Sequence, residues 1–139
     1  MVEPRHLEVL TVEECFDLVR DQVIGRLAIG SDKGPPFVAP VTFVLDGTSV
    51  IFRSNPGEKF DAVDRHVTFQ VDGVDHHHRT GWSVLLQGRM ELADDGEVAH
   101  LDLEPWIGPR AFWIRLVPDV ITGRRLALHL PDVDVRGYR

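Results

Sequence analysis

An arginine, a serine and a lysine surround a glycine-containing turn in the first half of the chain. Arg53 and Ser54 end an apolar segment, Asn55-Pro56-Gly57 breaks it, and Lys59 follows. A guanidinium holds two phosphate oxygens in a planar fork, an ammonium adds a point charge, and the N–H groups of a turn point at anions. These residues therefore predict a site for a terminal phosphate group. The alternative interpretation is a solvated turn with two incidental surface cations.

A tryptophan and a serine open the longest apolar segment, which runs over 81–92. Trp82 and Ser83 are consecutive, so in a strand they point to opposite faces. A flat ring could then pack beside one face, with the hydroxyl or a backbone group at its polar edge. The alternative is a core tryptophan beside a buried serine that is hydrogen-bonded to the backbone.

Two polar clusters resemble metal sites only loosely. Asp75-His76-His77-His78 is followed by no further set of ligands, so it is interpreted as a solvated loop. Asp94-Asp95-Gly96-Glu97 lacks the alternating ligand spacing of a calcium loop, and helix capping explains it better. We therefore predict no metal site.

The composition favours one soluble globular domain over 1–139. The chain is 43% hydrophobic and 27% charged, as in ordinary globular proteins. Its net charge of -7 argues against general binding of nucleic acid. The single cysteine, Cys15, excludes an intrachain disulfide, fits a reducing cytoplasm, and is expected to pack in the core. No segment is typical of a signal peptide or a membrane span.

The elements that must position these residues are mostly strands. Thr11 and Glu14 form a capping box, which predicts a short helix ending near Asp21. Strands are predicted over 24–29, 37–45, 49–54, 66–71, 81–92 and 112–117, with a break at Pro118 and a further strand within 120–130. Short helical turns are predicted over 58–64 and after Asp94, and loops over 72–80 and 105–109. This pattern predicts a β-barrel with short helices.

An ordered set of short motifs resembles one known family. The motifs are Gly25-Arg26-Leu27-Ala28, Val38-Ala39-Pro40-Val41, Phe52-Arg53-Ser54 with Gly57 and Lys59, Thr80-Gly81-Trp82-Ser83-Val84 with Gly88, Pro105-Trp106, Ile114-Arg115 with Pro118, and Ile121-Thr122-Gly123-Arg124. In this order they resemble the pyridoxamine 5'-phosphate oxidase-like FMN-binding split-barrel proteins, most closely the short actinobacterial members.

The resemblance implies a six-stranded antiparallel split β-barrel that forms a homodimer, with a flavin in each of two clefts between subunits. It implies that backbone around Pro40, Val41 and Thr42 borders the flavin ring. It also implies that Phe52, Arg53, Ser54 and Lys59 hold the ribityl phosphate, that Trp82 and Ser83 lie along the cofactor, and that Thr122, Gly123 and Arg124 approach from the partner subunit.

The resemblance further implies an FMN-dependent oxidoreductase, with NAD(P)H or a small quinone or nitro compound as redox partner. Two alternatives stay open: a non-enzymatic module that binds or stores flavin, and a reductase that uses the deazaflavin F420. Vitamin B6 oxidases of the family end in a substrate-binding arm with Arg and His, whereas this chain ends in an acidic segment containing Asp132 and Asp134. We therefore do not expect oxidation of vitamin B6 itself.

Overall fold

The computed structural model describes residues 5–101 and 112–128. Strands in these ranges are β1 (Arg5–Val9), β2 (Ile24–Ile29), β3 (Phe37–Thr42), β4 (Val44–Asp46), β5 (Ser49–Ser54), β6 (His66–Asp75), β7 (Thr80–Ala93) and β8 (Phe112–Leu128). The helices are α1 (Val12–Arg20), α2 (Glu58–Asp61) and α3 (Asp95–Val98). None of these helices is long and apolar enough to span a membrane.

The strands form one curled antiparallel sheet. Its hydrogen-bonded order is β3-β2-β6-β7-β8-β5-β4, and β1 pairs with β8. β3 and β4 lie at opposite ends of this order, yet only Phe43 separates them in the chain. Because one residue cannot span an open sheet, the sheet must curl until its ends meet. The structure thus confirms the predicted split barrel, which is mainly β with short helices.

The described residues contain eight strands, not the six that were expected. The predicted strand over 37–45 divides at Phe43 into β3 and β4, and the N-terminal strand β1 was not predicted. The loop predicted over 72–80 was also wrong, since β6 and β7 continue to pair as far as Asp75 and Thr80. Its polar residues lie on a solvated hairpin, where polarity does not disfavour a strand.

Pro118 does not end the last strand, contrary to the prediction. Gln87 pairs with Val120 and Gly88 pairs with Pro118, so Asp119 is the extra residue of a β-bulge. A bulge accommodates proline because the residue need not donate to the ladder there. β8 therefore runs unbroken from Phe112 to Leu128 and merges the two predicted strands. The loop predicted over 105–109 lies outside the described residues.

Helix α1 covers one end of the barrel. Its capping box is confirmed, since Glu14 N donates to Thr11 Oγ1 at 3.1 Å and Thr11 N donates to Glu14 Oε1 at 2.9 Å. Cys15 is buried beneath the helix, as expected, and this burial raises the pKa of its thiol. The barrel interior is filled by inward-pointing side chains, among them Leu27, Val50, Phe52, Phe69, Val84, Leu86, Met90, Ile114 and Leu116.

Candidate functional site

The barrel is split between β3 and β5, which lie close together but are not neighbours in the hydrogen-bonded order. Val44 pairs with Ile51 at the start of β4, so β3 leads by way of Phe43 into the strand that pairs with β5. We call this opening the seam. Because side chains alternate along each strand, Thr42 and Arg53 face outward at the seam.

The predicted ring-binding residues divide between the two faces of β3. Pro40 is exposed and Thr42 is half-buried on the outer face, whereas the side chain of Val41 is buried in the core. Only the backbone of Val41 is therefore available to a ligand on the outer face. Contact of a flavin ring with the backbone around Pro40, Val41 and Thr42 stays a prediction.

The turn after β5 borders a cleft of about 240 Å³ that is lined by Phe37 and by residues 54–59. Gly57 has a φ of 151°, a backbone conformation that favours glycine. Phe60 packs on Phe112 with 4.4 Å between ring centroids, which ties α2 to the barrel. Lys59 is half-buried and lines the cleft.

Arg53 presents a partly buried guanidinium with an unsatisfied donor. Its Nε is buried and has no hydrogen-bond partner, and within 5–101 and 112–128 no carboxylate forms an ion pair with it. Its Cζ lies 4.7 Å from the centroid of the Trp113 ring. A buried donor without a partner costs about 1–3 kcal/mol, and more for a charged group. This arginine is therefore suited to an anionic ligand.

Two predicted phosphate-binding side chains are fully buried, although Ser54 also lines the cleft at the turn. Phe52 is fully buried in the core. Ser54 is also fully buried, and its hydroxyl donates to the carbonyl oxygen of Asn55 at 2.8 Å. Ser54 thus stabilises the turn, and the outward-facing members of the predicted set are Arg53 and Lys59.

The second predicted group lies on the β7–β8 ladder, where Ser83 pairs with Arg124 and Leu85 pairs with Thr122. Ser83 Oγ accepts a hydrogen bond from Gln70 Nε2 at 3.1 Å. Gln70 joins a polar network that includes Arg26 and Asp72, which sequence reasoning missed because it depends on strand register. The Gln70 amide donates a hydrogen bond to the Asp72 carboxylate at 3.0 Å. Arg26 donates to the Gln70 side-chain oxygen at 3.0 Å and contacts the Asp72 carboxylate at 3.4 Å. This network lies on the outer face of the sheet.

Trp82 and Gly123 lie on the inner face of the sheet, opposite the face that carries Ser83. The Trp82 indole lies against Gly73, where an added Cβ would come within 2.5 Å of the indole Nε1. Gly123 is buried beneath α1, where an added Cβ would come within 2.6 Å of Cys15 Sγ. In this chain, packing explains both residue types.

Within one chain, the predicted phosphate-binding residues around Arg53 lie far from the second predicted group around Ser83. Arg53 pairs with Trp113, and Trp113 pairs with Ala93 of β7. Ser83 lies ten residues before Ala93 on the same strand, which is roughly 33 Å along the strand at about 3.3 Å per residue. Arg53 and Ser83 of one chain therefore lie toward opposite ends of the ladder.

The histidine cluster is a hydrogen-bonded turn at the tip of the β6–β7 hairpin. Asp75 accepts hydrogen bonds from the ring and the backbone N–H of His78, at 2.7 and 3.1 Å. These hydrogen bonds lower the pKa of the Asp75 carboxyl. The part of the chain that the structure describes contains no group of three candidate metal ligands.

Comparison with known proteins gives consistent matches over most of the chain. The profile of the pyridoxamine 5'-phosphate oxidase family matches residues 11–125. An FAD-binding protein from Mycobacterium smegmatis has 30% identity and a TM-score of 0.69, covering 86% of this chain and 98% of its own. A proposed pyridoxamine 5'-phosphate oxidase from Corynebacterium glutamicum has 25% identity and a TM-score of 0.74, covering 89% and 96%.

An uncharacterized protein of Mycobacterium tuberculosis is 27% identical over 135 residues, covering 84% of this chain and 88% of the relative. The family profile spans well over half of the sequence, and the solved relatives share the curled sheet. The chain therefore belongs to the pyridoxamine 5'-phosphate oxidase family of flavin-binding split-barrel proteins.

Proposed function

We propose that this protein binds FMN at the seam, with the ribityl phosphate held at the turn between β5 and α2. The observation that carries the proposal is Arg53, whose buried Nε has no partner among the described residues. A phosphate oxygen would satisfy this donor by a charge-assisted hydrogen bond. Lys59, which lines the adjoining cleft, would supply a second positive charge.

The length of the seam supports a ligand with a phosphate at one end and a ring at the other. Phe37 lines the cleft at the turn, and Pro40 to Thr42 follow three to five residues later on β3. This corresponds to about 10–17 Å at roughly 3.3 Å per residue. Pro40, Val41 and Thr42 would then border the ring, mainly through the backbone.

A homodimer would complete the site. In one chain, the outward-facing Ser83, Thr122 and Arg124 lie far from Arg53 along the ladder, so a partner must supply them if they are to contact the same flavin. The outer face that carries Ser83 also exposes Leu85 and Val120, which suits an interface between copies. Sedimentation should show a dimer that is stabilised by FMN, and a monomer that binds FMN at full strength would contradict this.

We further propose that the protein is an FMN-dependent oxidoreductase of the cytoplasm. The flavin, when bound, supplies hydride transfer, and the protein's contribution is to bind and orient it. NAD(P)H or a small quinone or nitro compound is the proposed redox partner. Pyridoxamine 5'-phosphate is not, because the arginines other than Arg53 are scattered along the sequence and none lies in a turn with Ser and Gly neighbours. The turn from Ser31 to Gly34 offers only Lys33, beside the acidic Asp32. Formation of pyridoxal 5'-phosphate by the FMN-loaded protein would contradict this.

The alternatives are distinguished by two simple measurements. The absorbance spectrum of purified protein separates an oxidised flavin, which has two bands, from F420, which has one. Oxidation of NAD(P)H at steady state separates an oxidoreductase from a flavin-storage module. We expect a flavin spectrum and turnover. A deazaflavin spectrum would favour the F420-dependent reductase, and a flavin spectrum without turnover with any redox partner would favour the storage module.

A further inference from the structure

Arg26 lies beside the proposed ring site. In the β2–β3 register it is directly opposite Pro40, and both residues are exposed on the outer face of the sheet. The Cβ atoms of directly opposed residues are about 4.5–5.5 Å apart. β2 and β3 contain no other charged residue, so Arg26 is the charge that these two strands bring to the ring end of the seam.

Side chains of the neighbouring strands hold the guanidinium in place. Arg26 donates to the Gln70 side-chain oxygen at 3.0 Å and contacts the Asp72 carboxylate at 3.4 Å. The amide nitrogen of Gln70 donates to Asp72 at 3.0 Å and to Ser83 at 3.1 Å. Because both amide N–H groups are used, the Gln70 oxygen is left to accept from Arg26. Gln70 is therefore a positioning residue for the guanidinium.

The Asp72 carboxylate offsets the charge of Arg26 only in part. The contact between the two groups is long, and both side chains are about half exposed, where an ion pair gains little. Arg124, directly opposite Ser83 on β8, adds a second cation to the same face. Two cations and one carboxylate give this part of the outer face a net positive charge.

We propose that Arg26 stabilises the reduced form of a flavin bound at the seam and so raises its reduction potential. This inference rests on the proposed function, because it requires the flavin ring to lie at Pro40 to Thr42. Asp72, which opposes the charge of Arg26, would limit the effect.

The change in charge on reduction explains why the reduced form is favoured. Transfer of hydride from NAD(P)H carries two electrons and one proton to the flavin and leaves oxidised nicotinamide. The neutral ring thereby gains one negative charge, which is held over N1 and the C2 carbonyl oxygen. A guanidinium beside the ring attracts this charge and has no comparable attraction for the neutral oxidised ring.

The test is the two-electron reduction potential of the FMN-loaded protein, measured against a reference dye during reduction by dithionite. Arg26→Gln should weaken the binding of reduced FMN about tenfold relative to oxidised FMN, which lowers the potential by about 30 mV. Asp72→Asn removes the opposing carboxylate and should shift the potential in the other direction. Arg26→Lys keeps the charge and should keep the ratio of the two affinities within about twofold of the parent's.

The ion pair of Arg20 with Asp17 on α1 provides the matched controls. Arg20→Gln and Asp17→Asn change the same charges far from the seam and should leave the potential unchanged. Shifts of the same sign in Arg26→Gln and Asp72→Asn, or no shift in either, would overturn the inference and leave the proposed function intact. If Arg26→Gln does not hold FMN, Asp72→Asn decides, since an unchanged or lowered potential overturns the inference. Failure of the parent protein to bind FMN would overturn both.

Discussion

The guanidinium of Arg53 lies over the indole ring of Trp113, with 4.7 Å between Cζ and the ring centroid. The two residues are directly opposite each other on β5 and β8. The ring holds the charged group by a cation–π contact while the buried Nε keeps its hydrogen-bonding capacity. Trp113 is thus a positioning residue for the proposed phosphate site.

Replacement of Trp113 should weaken FMN binding without affecting riboflavin. A cation–π contact contributes about 0.5–2 kcal/mol, so Trp113→Ala should raise the Kd for FMN by roughly three- to thirtyfold. Riboflavin lacks the phosphate, so its Kd should stay within about twofold. Trp113→Phe keeps an aromatic face and should retain most of the affinity. Equal losses for both ligands in Trp113→Ala would indicate a general structural role.

Arg53 and Lys59 should each contribute to FMN affinity through the phosphate. Each contact is worth roughly 1.5–3 kcal/mol, so Arg53→Ala and Lys59→Ala should each weaken FMN binding by about ten- to hundredfold. Arg20→Ala removes an exposed cation from α1 and is the matched control, with no change expected. Fluorescence titration of the three variants measures the effect. An unchanged FMN affinity in both seam variants would exclude the turn as the phosphate site.

The sequence was sufficient for elements whose signals are local. The capping box of Thr11 and Glu14 predicted the start of α1, and the strand over 24–29 has the predicted bounds. The break predicted at Pro118 was wrong because a bulge depends on the partner strand, which a single segment does not specify.

The candidate site was less predictable because it depends on register and on the facing of side chains. Arg53 and Trp113 are sixty residues apart in the chain, and only the pairing of β5 with β8 brings them together. Ser54 looked like a phosphate ligand by its neighbours, but its hydroxyl is committed to Asn55. Because side chains alternate between the two faces of a strand, the sequence alone could have shown that Arg53 and Ser54 face opposite sides of β5.

Gly88 should be essential for the β-bulge. A Cβ there would overlap the carbonyl oxygen of Val117, a backbone atom that cannot move without disrupting the ladder. We expect Gly88→Ala to lower the free energy of unfolding by about 3 kcal/mol. At Gly30 an added Cβ would meet no heavy atom within 4 Å, so Gly30→Ala is the control and should change stability little. Denaturant unfolding that gives the same midpoint for both variants would refute this account of the bulge.

Acidification should remove the contribution of the Asp46 carboxylate to the free energy of unfolding. Hydrogen bonds from His100 and Arg115 hold the pKa of its carboxyl below the ordinary value. A carboxyl whose pKa is lowered by folding stabilises the protein above its unfolded pKa, about 3.9, and loses that contribution as the pH falls through the folded pKa.

The stability difference between the parent and Asp46→Asn should therefore be largest above about pH 4 and should shrink at lower pH. Urea unfolding at several pH values measures this difference. Asp32→Asn, at an exposed carboxyl of the β2–β3 loop, is the control, and its stability difference from the parent should change less with pH. A difference that grows on acidification would have the wrong sign for this ion pair.

The central claim, that the seam recognises a flavin through its phosphate, is tested most directly by comparing FMN with riboflavin. The two ligands share the ring and the ribityl chain and differ only in the phosphate. Two charge-assisted contacts predict that FMN binds the flavin-free protein at least about a hundredfold tighter than riboflavin. Equal dissociation constants for the two ligands in one calorimetric experiment would contradict the claim.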